Sequence, residues 1–113
     1  MAITSLRQEE PVLSRLSNEP VWAPVRVDSL TTTDTDLTTA TVKMAFTKED
    51  PVAADWLTAT VEGTWVGPDG ETYYVLRYAT VAGAFPAGTY DHWAQVAIGG
   101  LTYVHRLGTI RFY

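Results

Sequence analysis

Hydrophobic and polar positions alternate most cleanly near the end of the chain. There Tyr90, His92, Ala94, Val96 and Ile98 fall on one face and Asp91, Trp93, Gln95 and Ala97 on the other. A period of two over this length predicts a half-buried strand. Gly99-Gly100 and then Leu101-Thr102-Tyr103-Val104 extend the pattern into a hairpin that runs to the C-terminus, its turn built on two residues that accept positive φ. Upstream, residues 20–27 alternate with Val21, Ala23, Val25 and Val27 inward, and Pro20 and Pro24, which cannot donate to a ladder, predict an edge strand. Residues 28–39 read as a polar loop. Residues 40–46 form the next strand, with Ala40, Val42, Met44 and Phe46 inward and Lys43 toward solvent. Residues 56–66 read as one longer strand with Gly63 as a bulge or close-packing point. Gly67-Pro68-Asp69-Gly70 then supplies a tight turn into a return strand over residues 72–78. Residues 79–85 are a small-residue connection, and Pro86-Ala87-Gly88 turns the chain into the Tyr90 strand.

Residues 1–19 have a different texture, mixing charge, Pro11 and Ser/Asn with Ile3, Leu6, Val12, Leu13 and Leu16 as apolar anchors. The segment reads as an extended N-terminal arm, with spacing that supports a short helix over residues 10–16 before Ser17-Asn18-Glu19-Pro20 interrupts it. Such an arm docks on a neighbouring subunit or packs across its own domain. The division expected is therefore an arm, residues 1–19, and a domain, residues 20–113. Six or seven short strands with turn signals between them, in about a hundred residues, predict an all-β, immunoglobulin-like β-sandwich. Tyr90, placed just after a turn at a strand start, resembles a tyrosine corner, in which the hydroxyl ties back to the backbone.

Composition narrows the function classes. A chain of 113 residues suits one compact domain, and 46% hydrophobic content is globular rather than disordered. Its longest apolar runs are too short to cross a bilayer, so no membrane partner is expected, and the N-terminus lacks the apolar core of a secretory signal. The expectation is a protein made and kept in a cytoplasm, or released by lysis. The absence of cysteine excludes disulfides and thiolate metal sites. A net charge of −5 with only eight Lys and Arg argues against direct nucleic-acid binding. Acidity of this kind suits solubility at high copy number, or the lining of a passage for a polyanion.

Catalytic chemistry has little to build on. A nucleophile needs a base, and the histidines are His92, in the inward register of its strand, and His105, in the terminal hairpin. No nucleophile elbow is present, and the two histidines lie on different strands without a ligand-spaced partner. Asp34-Thr35-Asp36 has alternate-carboxylate spacing but lacks the glycine turn and distal glutamate of a calcium loop. Glu9-Glu10 and Glu49-Asp50 read as solvated charges. No enzyme activity, cofactor or metal is expected.

The tryptophans carry more. Trp56 or Trp65 is the candidate for the large central core residue of a sandwich, whereas Trp93 falls on the outward face beside Asp91 and Gln95. An outward ring meets another subunit, stacks on a sugar, or lies flat over its own strand's neighbours. The candidate interface residues are Trp22, Pro24, Trp93 and Tyr113.

Val21-Trp22-Ala23-Pro24-Val25, Thr41-Val42-Lys43-Met44-Ala45-Phe46, Asp55-Trp56, Gly88-Thr89-Tyr90 through Val96, and Leu107-Gly108-Thr109-Ile110 together form an ordered set covering most of the chain after Glu19. In this set the chain resembles small immunoglobulin-like proteins from the structural-gene clusters of tailed phages, especially those of actinobacteria. His92 departs from the pattern, since an aliphatic residue is the simpler occupant of that register. The resemblance implies a virion component, at the head-to-tail connection (neck) or decorating capsid or tail. Portal, connector, tail or capsid subunits would be its partners, and it would form a homo-oligomer made in the host cytoplasm. Subunits would lock by edge-strand addition, arm docking and aromatic burial, summed around a symmetric ring. The alternative is a carbohydrate- or receptor-binding module, marked by a flat row of solvent-facing aromatics.

Overall fold

A computed structural model describes residues 2–5, 10–28 and 37–113. Nine strands are seen among them: β1 (Ala2–Ser5), β2 (Val12–Leu13), β3 (Pro20–Asp28), β4 (Thr41–Thr47), β5 (Leu57–Thr58), β6 (Thr60–Val66), β7 (Thr72–Ala79), β8 (Gly88–Ile98) and β9 (Leu101–Phe112), with one 3₁₀ turn at Ala53–Asp55. They form a four-stranded sheet, β1-β3-β7-β6, and a five-stranded sheet, β2-β9-β8-β4-β5. The inner faces of the two sheets bury one continuous core that includes Val21, Val25, Val42, Met44, Leu76, Val96 and Ile110. The first sheet has the order of strands A, B, E and D of an immunoglobulin domain, and β9, β8 and β4 take the places of G, F and C in the second. The protein is an all-β, immunoglobulin-like sandwich.

The alternating pattern places β8 as expected: Tyr90, His92, Ala94 and Val96 are buried. Its hairpin with β9 turns on Gly99 and Gly100, whose φ of 59° and 79° match the mirror-image turn that follows strand twist. The β6–β7 hairpin closes through N–H donation from Gly70 to the Gly67 carbonyl and from Gly67 to the Glu71 carbonyl. Tyr90 makes the corner bond, its hydroxyl donating to the Pro86 carbonyl at 2.8 Å. In antibody domains the position two residues after this tyrosine holds a disulfide cysteine. Here it is His92, fully buried, with Nε2 3.3 Å from Met44 Sδ on β4 and its ring stacked on Phe46 at 5.0 Å. The polar ring is a core residue.

Four readings of the sequence are corrected. Residues 56–66 are not one strand: Leu57–Thr58 pairs with β4 in the second sheet, and Thr60–Val66 pairs with β7 in the first. The crossing occurs at buried Ala59, whose N–H donates to the Val42 carbonyl. The bulge expected at Gly63 is there, as a register shift between Val61 and Thr64. Second, β3 is an edge along only part of its length. β1 opposes Val25 to Asp28, whereas both prolines lie in the half that pairs, among the described residues, with β7 alone. Third, no helix forms over residues 10–16, because Val12 and Leu13 instead run parallel to Arg111 and Phe112.

Fourth, the described parts of residues 1–19 do not form a separate arm. β1 extends the first sheet, β2 extends the second, and Leu13 is buried in the core. The segment is stitched to the connection after β7: Thr80 donates to the Glu19 carbonyl, Ala82 N–H to Asn18 Oδ1 at 2.7 Å, and Gly83 N–H to the Arg15 carbonyl at 2.7 Å. Packing across its own domain satisfies backbone groups that a free arm would leave to water. The polar loop before β4 also hid a core residue, since Leu37 is fully buried.

Candidate functional site

The four candidate interface residues do not converge. Trp22 and Pro24 lie on the outer face of the first sheet. Trp93 lies on the outer face of the second, opposite Ala45, and Tyr113 follows the end of β9. Trp93 is half-buried, its indole N–H donates to Thr47 Oγ1 at 3.1 Å, and its cross-strand neighbour Ala45 is fully buried. The ring therefore covers its own sheet. Tyr113 is exposed at the side chain but fixed at the backbone, its N–H donating to the Leu13 carbonyl and its carbonyl accepting from Arg15 N–H.

Strand register assembles a different group around Trp22. Antiparallel partners share a face, so Trp22 stands beside Arg77, Pro24 beside Val75, Trp65 beside Tyr73, and Thr60 on the far side of Arg77, all pointing away from the core. Trp22 is 49% exposed and Trp65 41%, and Trp65 is not the central core residue its size suggested. Trp56 is half-buried and outside the core cluster, so the centre is filled by Met44, Phe46 and His92 instead. Arginines lie over two of the outward rings, Arg77 at 5.4 Å from the Trp22 centroid and Arg26 at 5.9 Å from that of Tyr73. Such contacts hold a guanidinium flat against an aromatic face.

Arg26 also pairs with Glu71 at 2.6 Å, and the Tyr73 hydroxyl donates to Asp69 Oδ2 at 2.5 Å. That hydrogen bond holds the Asp69 carboxyl below its ordinary range and raises the Tyr73 phenol above its own. Arg77 makes no ion pair among the described residues. The result is an outward area of two exposed indoles, a proline, a valine and a covered tyrosine, edged by Glu62, Asp69 and Glu71. Sequence parity gave the direction of Trp22. The meeting of Trp22 with Trp65 depends on both strands flanking β7, which parity alone does not state.

No protein-family profile, curated protein or solved structure matches this chain.

Two further places hold groups capable of chemistry. His105 Nε2 lies 3.1 Å from Ser5 Oγ, the separation of a nucleophile and its base, and burial lowers the His105 pKa. No third group orients the other ring nitrogen among the described residues, and the contact ties β1 of one sheet to β9 of the other. His92 lies within the core on the adjacent strand, two residues before Ala94, the register partner of His105. A groove of about 330 Å³ between the end of β4 and the 3₁₀ turn is lined by Lys48, Glu49, Asp50, Asp55 and Tyr90 among others. Lys48 Nζ sits 4.5 Å above the Tyr90 ring, and no group of three potential metal ligands gathers among the described residues. Asp34 and Asp36 lie outside the described residues, as does Glu9, whereas Glu10 accepts a hydrogen bond from Thr109.

Proposed function

We propose that this chain is a non-enzymatic structural subunit of a tailed-phage particle, placed at the head-to-tail connection and acting through contacts with other virion proteins. The observation that carries this reading is the outer face of the first sheet, where Trp22 and Trp65 remain exposed beside Arg77, which makes no ion pair among the described residues. Tryptophan and arginine are the residue types that concentrate binding energy when a partner removes them from water. The resemblance supports the same reading. Its segments fall on the framework of the sandwich: Val21 to Val25 in β3, Thr41 to Phe46 in β4, Gly88 to Val96 in β8 and Leu107 to Ile110 in β9.

The test is to purify particles from a lysate that contains this chain, quantify it by mass spectrometry, and locate it by antibody labelling under the electron microscope. A fixed copy number per particle with label at the neck is expected. Recovery of the chain only in the soluble fraction would exclude a virion role. The same face favours a second reading, a sugar-binding module, because it presents two exposed indoles, Trp22 and Trp65, on a sheet. Against it, Arg77 already lies over the ring of Trp22 on which a sugar would stack.

A further inference from the structure

We infer that the outer face of the first sheet binds the same face of a second copy of this chain, in a two-fold dimer. The inference rests on the reading of the chain as an assembling subunit, and names the face that does it. β7 presents Tyr73, Val75 and Arg77 outward in a row, flanked on β3 by Pro24 and Trp22 and on β6 by Trp65 and Thr60, with the Gly63 bulge facing Val75. Trp22 and Trp65 are therefore opposite corners of a patch centred on Pro24 and Val75. Two strand spacings and four residues of rise separate them by roughly 16 Å.

A rotation of 180° about an axis in the plane of the contact, perpendicular to that diagonal, sets Trp22 against the partner's Trp65 and Trp65 against the partner's Trp22. The same operation brings Arg77 beside the partner's Glu62. An isologous contact requires each residue to meet its counterpart's neighbour reciprocally, and this pattern does so. The sheets would cross at a steep angle, one of the two ways in which sheets pack face to face.

Charge agrees with this occupant. Arg77 has no carboxylate partner among the described residues, and Glu62 is exposed, accepting a hydrogen bond from the neutral Thr60 hydroxyl at 2.8 Å. Each copy thus supplies one unmatched cation and one unmatched anion to the places where the other needs them, while Arg26 and Glu71 neutralise each other in place. The face spans few strands, so the contact belongs to the small and weak class of interfaces.

Sedimentation equilibrium from micromolar to millimolar protein tests this. The mass should rise from 12.4 kDa toward twice that value, and more steeply at low salt. Arg77→Glu alone and Glu62→Arg alone should each hold the chain as a monomer, Trp22→Ala likewise, and the double variant R77E/E62R should regain the dimer. Restoration by the second reversal is a result that damage to folding does not produce, and unchanged thermal melts of the single variants complete the control. A monomer at every concentration, or a double variant no better than the singles, overturns the proposal. So does a monomer whose tryptophan fluorescence is quenched by cellohexaose, which would give the face to sugar. A dimer indifferent to all the substitutions overturns this face but leaves an assembling subunit, and particle labelling tests that broader reading independently.

Discussion

Replacing Phe46 with alanine should cost this domain a third or more of its stability. Phe46 is buried, and its ring meets four others: His92 at 5.0 Å, Phe85 at 5.1 Å, Tyr78 at 5.6 Å and Phe112 at 6.0 Å between centroids. Those rings come from β7, β8, β9 and the connection after β7, so one side chain on β4 joins both sheets to the crossover. Truncating a buried phenylalanine costs about 3–5 kcal/mol through lost transfer energy and the cavity left behind. A domain of this size holds about 5–15 kcal/mol in all. Rings from four segments on three sides cannot close the gap without moving strands, so the upper part of the range applies.

Urea unfolding followed by far-ultraviolet circular dichroism reads the effect. With a slope of about 1.5 kcal/mol per molar, the midpoint should fall by about 3 M at unchanged slope. Phe46→Leu, which keeps most of the volume, should cost less than about 1.5 kcal/mol. If the alanine variant lost under about 1 kcal/mol, Phe46 would not be the hub of the core, and the aromatic cluster would be incidental. If the leucine variant lost as much as the alanine, ring geometry rather than volume would set the cost.

Tyr90→Phe keeps the edge-to-face contacts with Phe85 and Phe112 but removes the bond to the Pro86 carbonyl. A loss of about 1 kcal/mol is expected, a fall of about 3–6 °C in Tm by calorimetry. Burial lowers the His105 pKa from its ordinary 6.5, so the unfolded chain takes up a proton there before the folded one does. The stability contribution of His105 is therefore complete above pH 6.5 and declines as the pH falls from 6.5 through the folded value. Subtracting the pH–stability curve of His105→Gln from that of the parent should isolate this decline, and a flat difference would contradict it. Asp69, whose pKa is lowered chiefly by the Tyr73 hydrogen bond, adds a separate loss only below its ordinary 3.8, which Tyr73→Phe should reduce.

Much of the fold was legible because its signals are local. The β8–β9 hairpin follows from alternation and two adjacent glycines, the β6–β7 hairpin from Pro68-Asp69-Gly70, and the corner bond from the place of Tyr90 after its turn. What stayed hidden is information about which strand neighbours which. Alternation in residues 56–66 states which side chains share a face, not which sheet that face belongs to, so the crossing at Ala59 left no mark. β1 and β2 have four and two residues, too short for a period to be read, and their charged surroundings resembled a free arm. Trp93 pointed outward as parity required, yet Thr47 two strand positions away gave its indole a partner within the sheet. Half of the candidate face, Trp22 and Pro24, was visible in sequence. The other half, Trp65 and Arg77, came with the register of β7.

His92, standing where an antibody domain has a cysteine, brings these observations together. In an antibody domain the inter-sheet disulfide passes through this position and a tryptophan on strand C packs against it. Losing such a bridge from a small domain costs about 2–5 kcal/mol. This chain has no cysteine, and its strand C equivalent, β4, offers Met44 and Phe46 to the His92 ring. The expected cost of removing Phe46 falls in the same range as the cost of removing a disulfide. The aromatic cluster thus occupies the disulfide's place, with no oxidation step required for folding. With the centre filled in this way no tryptophan is needed there, and Trp22 and Trp65 lie exposed on the outer face.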